Sequence, residues 1–125
     1  MGKTYTSYHG YFPSSQRTAE NQLGTLSDLK DLVDAAHAKG IRVLVDLVAN
    51  HLHSSHPLVT EQSSQGWFNA FFQCGFDEAP LTCWFEEYLP DLNYESDSAV
   101  EEMTEAAIWW VLEADLDGFR IDAVK

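Results

Sequence analysis

The chain has 125 residues, enough for one ordinary domain with a core of its own. Apolar residues make up 45% and aromatic residues 13%, which excludes intrinsic disorder in spite of a formal net charge of −13. Seven basic residues against twenty acidic ones cannot build a phosphate-neutralising face, so nucleic acid is excluded as a partner and a neutral ligand or a cation fits better.

The opening MGKTYTSYHGY has no apolar segment of the secretion-signal kind. No apolar run approaches the roughly 20 residues that span a bilayer, so no membrane contact is expected. The compartment stays open, secretion of a longer parent included. The first clear element is a helix predicted from Thr25 to Gly40, with Leu26, Leu29, Leu32, Val33 and Ala36 on one face at the helical period. Thr25 and Asp28 suit a reciprocal N-terminal cap, and Lys39 with Gly40 closes the other end. Next comes Ile41 to Val48, a β-branched and nearly continuous apolar run of the kind buried on both faces of a parallel sheet.

His51 to Asn93 shows no sustained period and reads as a functional loop or a small subdomain. Within it, Cys74 and Cys83 are either a disulfide or two free thiols. His53 and His56 are expected in a solvated loop, and the spacing of His51, His53 and His56 is weak as a metal signature. Trp67, Trp84 and Phe85 are either a small core of the insert, the preferred reading, or part of a ligand cleft. A second helix is predicted over Ala99 to Ala114, with Val100, Met103, Ala107, Trp110 and Val111 on its apolar face and Ser96, Asp97 and Ser98 as cap candidates. Trp109 and Trp110 read as core, and the surplus of acidic residues as a solvated face. After the Asp115 to Gly118 turn, Phe119 to Val124 is a strand. Helix then strand, twice, means α/β with a parallel sheet. Two strands alone leave both sheet edges open, so the chain reads as an internal piece of a larger fold.

Polar residues stand where these strands should emerge: Asp46, Asn50 and His51 on the first, Arg120 and Asp122 on the second. In parallel sheets and barrels that end faces substrate. Charge in a strand is costly unless paired, so Asp46 and Arg120 are expected to pair across neighbouring strands, with Asp122 and His51 directed into a site.

Asp46-Leu47-Val48-Ala49-Asn50-His51 resembles the first signature segment of the alpha-amylase family (family 13 glycoside hydrolases), and Gly118-Phe119-Arg120-Ile121-Asp122-Ala123-Val124-Lys125 resembles its second. Leu89-Pro90-Asp91-Leu92-Asn93 is similar to the short segment near the end of that family's inserted domain. His9-Gly10-Tyr11-Phe12 is similar to its HGYW-type segment, with Phe12 where Trp is commoner. The resemblance implies a partial (β/α)8 TIM barrel, running from the loop after strand two through strand four. Residues 1–50 and 94–125 would be barrel parts and 51–93 an inserted domain B.

The same resemblance implies that Asp122 is the nucleophile of a retaining glycosidase and that Arg120 holds it ionised. It assigns His51 to hydrogen-bond the sugar, Tyr11 to stack on it, and Lys125 to contact the next sugar. Asn50 and Asp91 would bind a structural Ca²⁺, an ion that takes hard oxygen ligands. The implied substrate is an α-1,4-glucan or maltooligosaccharide. Alternatives are another activity of the family (oligo-α-glucosidase, neopullulanase, transglycosylase) or a non-catalytic, transporter-associated member. The partner carboxyl of retaining chemistry, about 5 Å from the nucleophile, is implied on strand five, so residues 1–125 alone are expected to be inactive. A nucleotide-binding module is excluded because neither GxGxxG nor GxxxxGK[ST] occurs.

Overall fold

A computed structural model describes residues 8–75 and 80–124. Its elements in chain order are α1 (Leu26–His37), β1 (Leu44–Val48), α2 (Pro57–Glu61), α3 (Asp97–Ala114) and β2 (Gly118–Asp122). The helix-then-strand rhythm is as the sequence predicts, and β1 and β2 pair in parallel with Leu44 opposite Gly118, Asp46 opposite Arg120 and Val48 opposite Asp122.

α1 begins at the predicted cap. The Thr25 hydroxyl accepts from the Asp28 amide at 3.2 Å, and the Asp28 carboxylate accepts from the Thr25 amide at 2.7 Å, so two orphan donors are satisfied reciprocally. Gly40 ends the turn at φ 71°, a left-handed conformation that favours glycine, and the amides of Gly40 and Ile41 close onto the carbonyls of His37 and Ala36. α3 is one turn's fraction longer than predicted, with Ser96 at its N-cap making no side-chain capping bond.

The register of the sheet is set just before it starts. The Asp117 amide donates to the Val43 carbonyl at 3.0 Å, while the Asp117 carboxylate accepts from the Val43 amide at 2.7 Å. His37, in the last turn of α1, donates from Nε2 to the same carboxylate at 2.8 Å and lies 3.4 Å from that of Asp115 through Nδ1. Helix end, strand start and turn are thereby tied at one point.

Both helices cover one face of the strand pair, with Val33, Ala114 and Leu116 buried and Leu26, Leu29, Val43, Val45, Trp110, Val111 and Phe119 packed around them. Removing one such aliphatic side chain from water stabilises by about 1.5–3 kcal/mol. The expected face of α3 is rotated slightly: Ala99 and Ala106 are buried with Met103, whereas Val100 is 39% exposed. Trp110 does pack into the core, and its indole N–H donates to the Gln16 carbonyl at 2.7 Å. The acidic residues of α3 are only partly a solvated face, because Glu102 pairs with Arg17 and Glu113 with Lys30.

The expectation that the strands are buried on both faces is not met. Leu44 and Ile121 are 58% and 46% exposed, because a two-stranded sheet offers nothing to cover the second face or either long edge. The irregular insert packs against α3 around a second small centre, where Leu52 and Leu92 of the insert and Met103 of α3 are buried among Leu58, Val59 and Phe68. Cys74 and Cys83 are joined in a disulfide, which settles the open alternative. His56 corrects the solvated-loop reading: it is buried, and its Nδ1 accepts from the Leu58 amide at 3.1 Å to cap the short helix α2. Its Nε2 is buried without a hydrogen-bond partner among the described residues, and burial pushes the imidazole below its ordinary pKa.

Candidate active site

The parallel register brings Asp46, Arg120 and Asp122 onto one face of the strand pair, Asp46 opposite Arg120 and Asp122 two residues nearer the C-terminal end. Arg120 donates to the Asp46 carboxylate at 3.3 Å, so the predicted cross-strand pair is present. It also donates to Asp122. Asp122 raises the Arg120 guanidinium above its ordinary value most, followed by Asp46. One guanidinium nitrogen, Nη1, is therefore shared by two carboxylates in charge-assisted hydrogen bonds.

Tyr11 joins this row from the loop before α1. Its phenol donates to Asp46, and that hydrogen bond, reinforced by the carboxylate charge, raises the phenol above its usual pKa. The ring stacks on His9 with centroids 5.8 Å apart. His51 is buried just past the end of β1, where its Nε2–H donates to the Tyr11 carbonyl at 3.0 Å and its Nδ1 accepts from the Asn50 amide at 3.3 Å. His51 thus holds the backbone of the residue whose phenol reaches Asp46. Phe85 meets His51 edge-on at 5.8 Å and is 37% exposed, whereas Trp67 is buried and donates to Ser98 at 2.8 Å. The three insert aromatics therefore divide: Trp67 is core, Trp84 is half-buried, and Phe85 lies beside the site.

Asn50 and Asp91 are neighbours across an irregular antiparallel bridge, in which His51 pairs with Asp91 and the Leu92 amide donates to the Asn50 carbonyl at 2.9 Å. Asp91 is 1% exposed, and its carboxylate accepts from the Asn69 side-chain amide at 2.8 Å. The Asp91 carboxylate and the Asn50 side-chain amide are hard-oxygen donors of the chemical kind that calcium takes. No group of three His, Cys, Asp or Glu able to hold a metal occurs among the described residues. Lys125 lies outside the described residues.

A cavity of about 230 Å³ is lined by Asn50, Tyr94, Ile121 and Asp122. A larger one of about 540 Å³ is lined by Leu29, Val45, Trp110 and Phe119 and reaches the site at Asp46 and Gly10. Two residues that sequence reasoning passed over also support the site. Tyr94 donates its phenol to the Ala49 carbonyl, and burial pushes that phenol up to about 12. Asn69 holds Asp91. No spacing signal marks either residue.

The sequence matches the family profile "Alpha amylase, catalytic domain" over residues 3–77 and 75–125. The chain belongs to the alpha-amylase family. It is 30% identical over 136 residues to "Alpha-amylase 3" of Dictyoglomus thermophilum, an alignment covering 95% of this chain and 27% of that protein. It is likewise 30% identical over 131 residues to the amino acid transporter heavy chain SLC3A1 of Mus musculus, covering 82% of this chain and 19% of the relative. Among solved structures it is similar to the alpha-amylase from Geobacillus thermoleovorans complexed with acarbose, at TM-score 0.83 and 34% identity, over 94% of this chain and 27% of that one. The chain thus spans about a quarter of the length of these alpha-amylases. No described helix is long and apolar enough to cross a membrane.

Proposed function

We propose that the full-length protein carrying this chain is a retaining glycoside hydrolase acting on α-1,4-linked glucans or maltooligosaccharides. The observation that supports this most directly is the Arg120–Asp122 ion pair at the C-terminal end of parallel strands in an alpha-amylase family member. In this reading residues 1–50 and 94–125 are parts of the (β/α)8 barrel and 51–93 is its inserted domain B.

Asp122 attacks the anomeric carbon to form a covalent glycosyl-enzyme, while a second carboxylic acid protonates the departing glycosidic oxygen. The family resemblance assigns that acid to a glutamate on strand five, after residue 125, so residues 1–125 by themselves should not turn over substrate. Arg120 keeps Asp122 ionised and limits its rotamers by a charge-assisted hydrogen bond. An aromatic face such as that of Tyr11 suits the apolar C–H surface of a pyranose. The resemblance assigns His51 to hydrogen-bond the sugar and Lys125 to contact the next sugar. Asn50 and Asp91 would hold calcium, which braces the insert against the barrel.

Asp122→Asn in the full-length protein should abolish nearly all hydrolysis of maltooligosaccharides while leaving their binding measurable. Unchanged turnover would refute the assignment. The likeness to a transporter heavy chain favours a second reading, a non-catalytic family member. An activated fluoro-sugar distinguishes the two, because only an enzyme would be labelled, and the label would be found on Asp122.

A further inference from the structure

We propose that His56 is an acid-sensitive latch on the insert: its neutral ring caps α2 and closes the second core, and its protonated ring releases both, loosening the packing behind His51 and Asp91. The latch rests on the geometry of the insert alone. The loss of turnover in acid that it would bring rests on the glycosidase reading above.

The side chain of His56 is turned inward from a surface segment. Ser54, Ser55 and Pro57 are exposed around it, whereas His56 is 5% exposed. Residues outside this chain can add to such burial but do not relieve it. The backbone on either side is fixed, because the His56 amide donates to the His53 carbonyl at 2.8 Å and the His56 carbonyl accepts from the Val59 amide at 2.9 Å. Pro57 opens α2 and has no N–H, so the Leu58 amide is the first donor of the helix that needs an acceptor. His56 Nδ1 supplies it at 3.1 Å. An accepting ring nitrogen carries no proton, which places the proton of the neutral ring on Nε2.

A second proton can therefore enter only at Nδ1. There it turns the acceptor into a donor facing the Leu58 N–H, and the cap is lost by geometry before any cost of charge is counted. Charge adds to the effect. Burial lowers the imidazole below its ordinary 6.5, against the opposite pull of Glu102 on α3 and then of Glu61 on α2, the charged groups facing the ring among the described residues; Glu102 is itself engaged by Arg17. With the folded value depressed, the stability that neutral His56 contributes is complete above 6.5 and is lost as pH falls through the depressed value.

The two residues behind the cap carry the consequence. Leu58 and Val59 pack on Leu52, Leu92 and Met103. Leu52 directly follows His51 and Leu92 directly follows Asp91, and the Leu52 amide donates to the Pro90 carbonyl at 3.2 Å. Release of α2 thus uncovers the apolar support of the segments that bear the site histidine and the buried aspartate.

Hydrogen exchange in the full-length protein, corrected for the intrinsic effect of pH on exchange, tests this. Opening at the amides of Leu58, Val59 and Gln62 should rise about tenfold for each pH unit below 6.5, down to the depressed value, while β1 and β2 show no such slope. His56→Asn keeps a capping acceptor that does not titrate, and should abolish the slope. A flat wild-type profile, or the same slope in His56→Asn, overturns the proposal. Should that variant fail to fold, ¹⁵N NMR of wild-type histidines decides: His56 should hold its proton on Nε2 and titrate below 6.5, and a proton on Nδ1 or titration at or above 6.5 overturns the latch. In hydrolysis of maltooligosaccharides His56→Asn should extend the acid limb to lower pH, and an unmoved limb overturns the link from latch to site. An insert that opens in acid in a protein hydrolysing no maltooligosaccharide at any pH would uphold the latch and defeat the glycosidase reading.

Discussion

Leu52→Ala is expected to loosen the insert without unfolding the strand pair. Leu52 is fully buried and follows His51 directly, and its side chain is enclosed by Leu92, Met103, Leu58, Val59 and Phe68. Truncating a buried leucine to alanine costs about 2–5 kcal/mol, with the larger values where the walls cannot close over the cavity. Leu92 and Met103 are buried, but Leu58, Val59 and Phe68 are only partly buried and can settle inward. The lower half of the range, about 2–3.5 kcal/mol, therefore applies. Since about 1.4 kcal/mol is a factor of ten, local opening should become roughly 30- to 300-fold more frequent. Hydrogen exchange followed by mass spectrometry reads this directly in the full-length protein. Amides of Leu52, Val59, Gln62 and Leu92, all bonded to backbone carbonyls, should lose protection, while those of β1 and β2 keep theirs. Equal protection in wild type and variant would refute the packing argument, and a uniform loss across both regions would refute the independence of the two cores.

Further expectations follow from the electrostatics and cross-links. The Asp117 hydrogen bond lifts His37 above its ordinary 6.5, and that stability is complete below 6.5 and lost as pH rises through the raised value. His37, with the Val43 amide, lowers Asp117 beneath its ordinary 3.8, and that stability is complete above 3.8 and lost as pH falls through the depressed value. The pair should thus stabilise most between 3.8 and 6.5, and Asp117→Asn should flatten that window and return the His37 titration, followed by NMR, toward 6.5. A chelator should lower the melting temperature of the full-length protein if Asn50 and Asp91 hold calcium, and Asp91→Asn should make melting indifferent to chelator; identical curves with and without chelator in the wild type would count against the ion. Replacing both Cys74 and Cys83 by serine should speed proteolysis of the insert, since the cross-link spans nine positions and closure of so short a loop is worth about 2–3 kcal/mol. Unaltered cleavage would show the loop to be held by other contacts.

Much of the site was legible in one dimension because its chemistry is local to two strands. Asp46 and Arg120 stand in apolar runs where an unpaired charge is unfavourable, and their pairing across parallel strands follows from that cost alone. The caps of α1 were equally readable, since Thr25, Asp28 and Gly40 act within a few residues of one another. Less was legible in the insert. It has little regular structure, so no period announces which side chains face inward, and His56 and Trp67 turned out buried where Phe85 did not.

By itself the sequence determined what propagates along the backbone: helix and strand order, capping, parallel pairing, and which ionisable groups sit at strand ends. Only the tertiary structure decided what depends on long-range closure. It joined Cys74 to Cys83, brought Asn69 to Asp91, rotated α3 so that alanines rather than Val100 meet the core, and let Tyr11 reach Asp46 from 35 residues away. The physical reason is common to all four. Hydrogen bonds and apolar contacts between distant segments carry no spacing rule, because their partners are chosen by how packed elements bring surfaces together and not by the chain between them.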